Sequence, residues 1–302
     1  MKMNRRRFLS FVSAACLSAA AGPAAAFRWQ GIALGAKAQI VLDHPEAEAI
    51  TQAARAEIAR LEGIFSLYRA DSEIMQLNRD GTLDAPSFEL LECLALARRV
   101  FGLTEGRFDP SVQPLWQVMA EAASRGQAAQ ANDLDTARTF IGFDRVRISA
   151  ARISMDRGQA LTLNGIAQGF IADKVAALLS ARGVKDVLID TGEILALGDG
   201  QGGNGWPVRL AGERDARQWQ GRALASSATF GTLIDERHGE GHILDPLGRK
   251  PIATQVTVSA HSAGLADALS TALCLVSGEE EARDVLSLVN EARLERFIQT
   301  PT

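Results

Sequence analysis

Apolar residues recur at Ile50, Ala54, Ile58, Leu61 and Phe65, a spacing that puts one buried stripe on a helix over 45–66. The same periodicity predicts helices over 72–78, 87–101, 170–182 and 262–276, with one more helix closing the chain. Strand-like runs fall at 31–42, 187–190, 194–197, 207–210, 224–234, 241–244 and 256–260. Between 146 and 163 the pattern alternates, and Arg157-Gly158 reads as a hairpin turn. Phe108-Asp109-Pro110 makes a turn after the third helix, followed by an apolar patch at Val112, Leu115, Trp116 and Val118. By contrast, 119–139 is rich in Ala, Gln and Arg and reads as a surface excursion. Strands and helices interleave without clean βαβ repeats, so the expected fold is α+β with a mixed or antiparallel sheet. No repeat or long linker divides 27–302, which is expected to form one domain.

The first 26 residues carry a different signal. Arg5-Arg6-Arg7-Phe8-Leu9 has the basic start of a twin-arginine signal, an apolar run follows over 11–21, and Ala24-Ala25-Ala26 offers a small-residue cleavage site. The run is too short and alanine-rich to read as a membrane span. Export to the periplasm by the twin-arginine route is the expectation. A lipoprotein cut before Cys16 is the other reading, with Ser13 standing where a lipobox wants Leu. Removing this segment takes away four cations and no acid, so the formal charge falls from −4 to −8. A body that acidic has no overall attraction for nucleic acid or anionic lipid, and a phosphate ligand would need a local device to hold it. Of the three cysteines, Cys93 and Cys274 lie in predicted helices without metal-ligand spacing. Both read as small buried hydrophobes, and a disulfide between them is the other reading.

Four constellations could carry chemistry. In the segment after Ser262, Asp267 and Thr271 are four apart, so a carboxylate and a hydroxyl share one face of a helix. They are hard oxygen ligands suited to Mg²⁺, or else an ordinary acid near a helix N-terminus and a hydroxyl bonded back to its own helix. Leu163-Asn164-Gly165-Ile166-Ala167-Gln168-Gly169 runs from strand through glycine turn into helix, where backbone N–H groups could face an anion or the glycines could serve close packing. Asp173, further along that helix, reads as solvated or capping. His242 stands at a strand end before the Asp245-Pro246 turn, either as a structural histidine or as a general base beside a phosphate. Tyr68, the only tyrosine, could stack on a planar ligand or sit in the core.

In order along the chain, five blocks resemble those of the ApbE-type FAD:protein FMN transferases. They are Ser66-Leu67-Tyr68-Arg69-Ala70-Asp71-Ser72-Glu73-Ile74, Gly106-Arg107-Phe108-Asp109-Pro110-Ser111-Val112, the Leu163 to Asp173 segment, His242-Ile243-Leu244-Asp245-Pro246, and Val256-Thr257-Val258 followed by Ala266-Asp267-Ala268-Leu269-Ser270-Thr271-Ala272-Leu273. The likeness spans about 31–278. It implies a T-fold-like α+β fold with FAD in a cleft between two subdomains. It implies Mg²⁺ on Asp267, Thr271 and the carbonyl of Gly165, with Asp267 and His242 as catalytic residues and His242 as the base. Dinucleotide contacts are implied at Leu34, Tyr68, Arg107, Phe108, Asp109, Thr162, Gln168 and Leu244. The implied reaction moves FMN from FAD to a Thr or Ser hydroxyl of an exported acceptor of an electron-transfer system, releasing AMP. Membrane contact would come only through that acceptor or a lipid anchor. The family's usual methionine, aspartate and lysine or glutamate stand here as Leu34, Thr162 and Gln168, and its Gly-Gly reads Thr191-Gly192-Glu193. The departures at 34, 162 and 168 keep one alternative in view, an exported flavin-binding protein without turnover; another is an Mg²⁺-dependent FAD pyrophosphatase, in which water replaces the acceptor hydroxyl in the same pocket.

Overall fold

The computed structural model describes residues 18–19, 26–200, 202–210 and 212–299. Apart from Ser18, Ala19 and Ala26, the export segment read over 1–26 lies outside the described residues. In chain order, strands Ser18–Ala19 (β1), Phe27–Ala33 (β2) and Ala36–Leu42 (β3) precede helices Ala47–Phe65 (α1) and Glu73–Asp80 (α2). Strand Thr82–Asp84 (β4) leads to helices Phe88–Leu103 (α3), Gln113–Ser124 (α4) and Ala131–Thr139 (α5), then strands Arg147–Ile148 (β5) and Arg152–Ser154 (β6). Helix Ala167–Ala181 (α6) is followed by strands Val187–Asp190 (β7), Ile194–Leu197 (β8), Trp206–Arg209 (β9), Arg217–Trp219 (β10) and Arg222–Ala228 (β11). The short pair Leu233–Asp235 (β12) and Glu240–Gly241 (β13) comes next. Strand Ala253–Ala260 (β14), helices Ala263–Leu273 (α7) and Glu279–Ser287 (α8), and strand Arg293–Gln299 (β15) complete the fold.

Seven strands make the main sheet, in the order β15-β14-β11-β8-β7-β3-β2, with every neighbouring pair antiparallel. The strand period of two divides the side chains between two cores. Ile40, Ile189, Leu195, Ala225 and Val258 face the helices, where the main core includes Leu61, Leu94, Phe170, Ile171, Leu265 and Leu269. Val41, Leu188, Ile194, Ala196 and Leu224 face the other way and are covered by Trp206, Val208 and Trp219 of the small β9–β10 pair. Register follows the same division, with Ile40 opposite Ile189 and Val41 opposite Leu188. This is the expected α+β architecture, and its sheets are antiparallel rather than mixed.

Serine caps set three helix starts. Ser72, Ser87 and Ser262 accept the N–H groups of Met75, Leu90 and Leu265, each three residues on. Other expectations need correcting. The opening strand over 31–42 is a hairpin, because Leu34 and Gly35 turn at positive φ. The excursion at 119–139 is instead the second half of α4 and all of α5, and of the apolar patch before it Leu115 alone is buried. The turn of the small sheet falls at 149–151, because β5 and β6 pair Ile148 with Ile153, and Arg157-Gly158 joins no two strands. The 224–234 run breaks into β11 and β12 at Thr229 to Thr232. The chain's last described element is β15 rather than a helix. Cys93 and Cys274 are buried free thiols, which overturns the disulfide reading. Among the described residues, no helix is long and apolar enough to cross a membrane.

Candidate functional site

Helix α7 is built around the pair that the sequence singled out. Its first turn is held from outside: Asp173 of α6 accepts Ser262 Oγ at 2.7 Å, Ala263 N–H at 2.8 Å and Gly264 N–H at 2.9 Å. Asp173 is therefore a capping residue, and it caps a neighbouring helix rather than its own. The two helices approach so closely at Gly169 that a Cβ there would stand 2.2 Å from the Ala263 carbonyl oxygen. Glycine is thus required by close approach and not by backbone conformation. That contact brings the Gly169 N–H to 3.1 Å from Asp267 Oδ2, tying the glycine turn to the helix carboxylate. Replacing Asp173 with Ala leaves three helix-start donors unmet in a half-buried place, and a loss of about 2–4 kcal/mol is expected. A urea melt of that variant checks this; an unchanged midpoint would contradict the clamp.

All twelve candidate site residues line one cavity of about 370 Å³. Leu34, Tyr68, Arg107, Phe108, Asp109, Thr162 and Gln168 reach it from the hairpin turn, the α1–α2 loop, the turn before α4 and the start of α6. His242 and Leu244 reach it from the loop after β13, and Gly165, Asp267 and Thr271 form its floor. A Cβ on Gly165 would lie 2.9 Å from Thr271 Oγ1, so this backbone directly abuts the hydroxyl. The residue types are split between ligand-facing and structural work. Asp109 spends Oδ1 on Ser111 N–H (2.7 Å) and Ser111 Oγ (2.5 Å), locking its own turn. Thr162 accepts Asn164 N–H at 3.3 Å and donates its own N–H to Pro110 O at 2.8 Å, a local role in place of the absent acid. Leu34, at φ 48°, is pinned by an N–H bond of 2.7 Å to Glu62 Oε1. The Gln168 amide packs beside Gly192, where a Cβ would come within 2.7 Å of Nε2. Tyr68 is exposed where it lines the cavity, which removes the core reading.

Two neighbours of this set escaped the sequence reading. Glu193 is 3% exposed, lines the cavity and accepts Ser226 N–H at 3.0 Å. Ser227 Oγ lies 2.7 Å from Ser270 Oγ and 3.2 Å from Thr271 Oγ1. The only signal for Glu193 was its place in Thr191-Gly192-Glu193, just beyond β7, where the family has Gly-Gly; nothing marked Ser227. Burial pushes the Asp267 carboxyl up to about 7, with Asp173 adding to the shift and the Gly169 N–H opposing it. Burial, and then the charge of Asp267, also raise Glu193. Neither has a Lys or Arg within ion-pair reach among the described residues. A buried acidic floor of this kind favours a cation.

The donor chemistry fits magnesium. Asp267, Thr271 and the Gly165 carbonyl offer one carboxylate, one hydroxyl and one carbonyl oxygen, leaving places for water and substrate phosphate. Among the described residues, no three His, Cys, Asp or Glu side chains converge into a closed metal cage. Over the floor, His242 Nδ1 lies 3.0 Å from the Thr232 carbonyl. A carbonyl only accepts, so Nδ1 carries the proton and Nε2 keeps a lone pair. Burial lowers the pKa of this imidazole, and the bond to Thr232 opposes the shift.

Residues 34–296 match the model of the ApbE family. The FAD:protein FMN transferase of Vibrio cholerae is 30% identical over 240 residues, covering 73% of this chain and 71% of its own. Two solved structures share the fold at 24% identity: the flavin transferase ApbE from Vibrio cholerae (TM-score 0.74, 89% of this chain, 93% of that one) and the apo flavinyl transferase ApbE from Pseudomonas stutzeri (TM-score 0.76, 91% and 94%).

Proposed function

The chain belongs to the ApbE family and is a transferase, and from that premise we propose that it moves FMN from FAD to a Thr or Ser hydroxyl of an exported acceptor protein, releasing AMP. The proposed protein is a single domain over 27–302, freed from the 1–26 export segment and working in the periplasm with Mg²⁺. The observation that carries the reading is the convergence of Asp267, Thr271, Gly165 and His242 on one cavity large enough for part of a dinucleotide.

Each side chain has a defined task in this reaction. Asp267, Thr271 and the Gly165 carbonyl would hold the ion, whose chemistry is Lewis-acid neutralisation of the diphosphate. His242 Nε2 takes the proton from the acceptor hydroxyl. The hydroxyl oxygen bonds to the FMN phosphorus, the bond from that phosphorus to the bridging oxygen breaks, and AMP departs with that oxygen. Leu34, Tyr68, Phe108 and Leu244 supply apolar surface for the rings. The work is positioning and charge control, which suits a site with few reactive groups.

Because burial lowers the pKa of His242, the neutral base persists to lower pH than an ordinary histidine would allow. The kcat/KM profile is expected to rise with pH through an apparent pKa below about 6.5 and then level off. A profile whose acid limb survives unchanged in His242→Ala would remove the imidazole from that limb. The reaction itself is tested by mass spectrometry of exported proteins from cells with and without this chain. An FMN-sized adduct on Thr or Ser that depends on the chain is expected. Free FMN and AMP formed from FAD without any adduct would make the protein a pyrophosphatase instead.

A further inference from the structure

We infer that Glu281, on helix α8 and outside every block of the family resemblance, is a positioning residue that fixes Arg107 for the dinucleotide. The inference rests on the FAD reading of the cavity given above. Arg107 lines that cavity, and its side chain is 14% exposed. Its guanidinium is held at two points: Nη1 donates to the Thr104 carbonyl at 3.2 Å, and Nη2 donates to a carboxylate oxygen of Glu281. Glu105, 3.7 Å from Nη1, is almost fully exposed and adds a screened charge. The third point, Nε, is buried and has no hydrogen-bond partner.

A guanidinium is a rigid planar fork, so fixing both terminal nitrogens also fixes the direction of the Nε–H. Left alone, a long arginine side chain samples many rotamers, and a ligand would bear the cost of ordering it. Glu281 removes that freedom in advance. Its own carboxylate is anchored too, because the second oxygen takes both the N–H and the Oγ–H of Ser277 at 2.6 Å, where α8 begins. The chain of restraint therefore runs from the start of α8 through Glu281 to Arg107, whose side chain forms part of the cavity wall. A cationic side chain held in one orientation there suits the electron-rich oxygens of the dinucleotide, on either a ring or a phosphate.

The test measures FAD binding to the full chain by quenching of flavin fluorescence, with Mg²⁺ and without acceptor. Glu281→Gln is expected to weaken FAD binding about tenfold, with kcat at saturating FAD within about twofold of wild type. In an Arg107→Ala background the same change is expected to alter nothing. Ser277→Ala, which removes one of the two donors that anchor Glu281 and keeps the N–H and the ion pair, is expected to weaken binding by less than Glu281→Gln does. Unchanged or tighter binding in Glu281→Gln overturns the proposal, as does an equal loss in the Arg107→Ala background or in Ser277→Ala. A wild-type chain that takes up no FAD overturns the reading of the cavity as well. Wild-type binding with an unaffected Glu281→Gln overturns this inference alone.

Discussion

Replacing Asp267 with Asn is expected to lower Mg²⁺-dependent AMP release from FAD by about a thousandfold or more, without loss of the fold. The activity falls because an amide is a poor partner for a hard divalent cation, while Thr271 and a single carbonyl leave too little charge to hold one. The fold survives because the asparagine oxygen still accepts the Gly169 N–H that Asp267 Oδ2 takes at 3.1 Å. It also removes an acid that burial has pushed up to about 7. Without metal at pH 8, the variant should therefore melt at the wild-type temperature or above it. AMP released over time, with a thermal melt alongside, checks both halves. Wild-type turnover would take Asp267 out of the mechanism, and a collapsed fold would make its role structural.

The second large effect is at His242. Its replacement by Ala is expected to slow transfer by about 10²–10⁴-fold while FAD affinity stays within a few-fold of wild type. The split follows from geometry: the Thr232 carbonyl holds Nδ1, so the imidazole has only Nε2 to offer, and one lone pair serves proton transfer better than it serves binding. Single-turnover rates and FAD titrations on the same preparation separate the two. A loss concentrated in affinity would make His242 a binding residue.

Much of the site was legible because its chemistry is local in sequence. Asp267 and Thr271 share a helix face by spacing alone, Ser262 announces the helix start, and Leu163 to Gly169 shows its turn by composition. The cavity itself was not legible. Arg107 and His242 are brought to one cavity by packing of distant segments, and no local pattern states that. Glu193 went unread as a site residue because an acid beside a glycine usually marks a solvated turn, and only burial under β11 shows otherwise. Strand β15 was missed for a different reason. Arg293, Glu295 and Arg296 interrupt its apolar positions, as charges on a sheet edge commonly do, and irregular pairing with β14 blurs the period of two. The α4–α5 region misled through composition, since Ala, Gln and Arg are good helix formers and 119–139 carries little apolar stripe to advertise it. Asp173 could be narrowed to capping or solvation from its position, but its partner on α7 lies about ninety residues away.

One titration bears most directly on the account. Isothermal calorimetry of FAD into the wild-type chain and into Asp267→Asn, each with Mg²⁺ and with a chelator, reads whether the ion and the dinucleotide share the floor formed by Asp267, Thr271 and Gly165. The account predicts that Mg²⁺ strengthens FAD binding in wild type by at least about tenfold and has no effect in the variant. Identical titrations in all four conditions would contradict it.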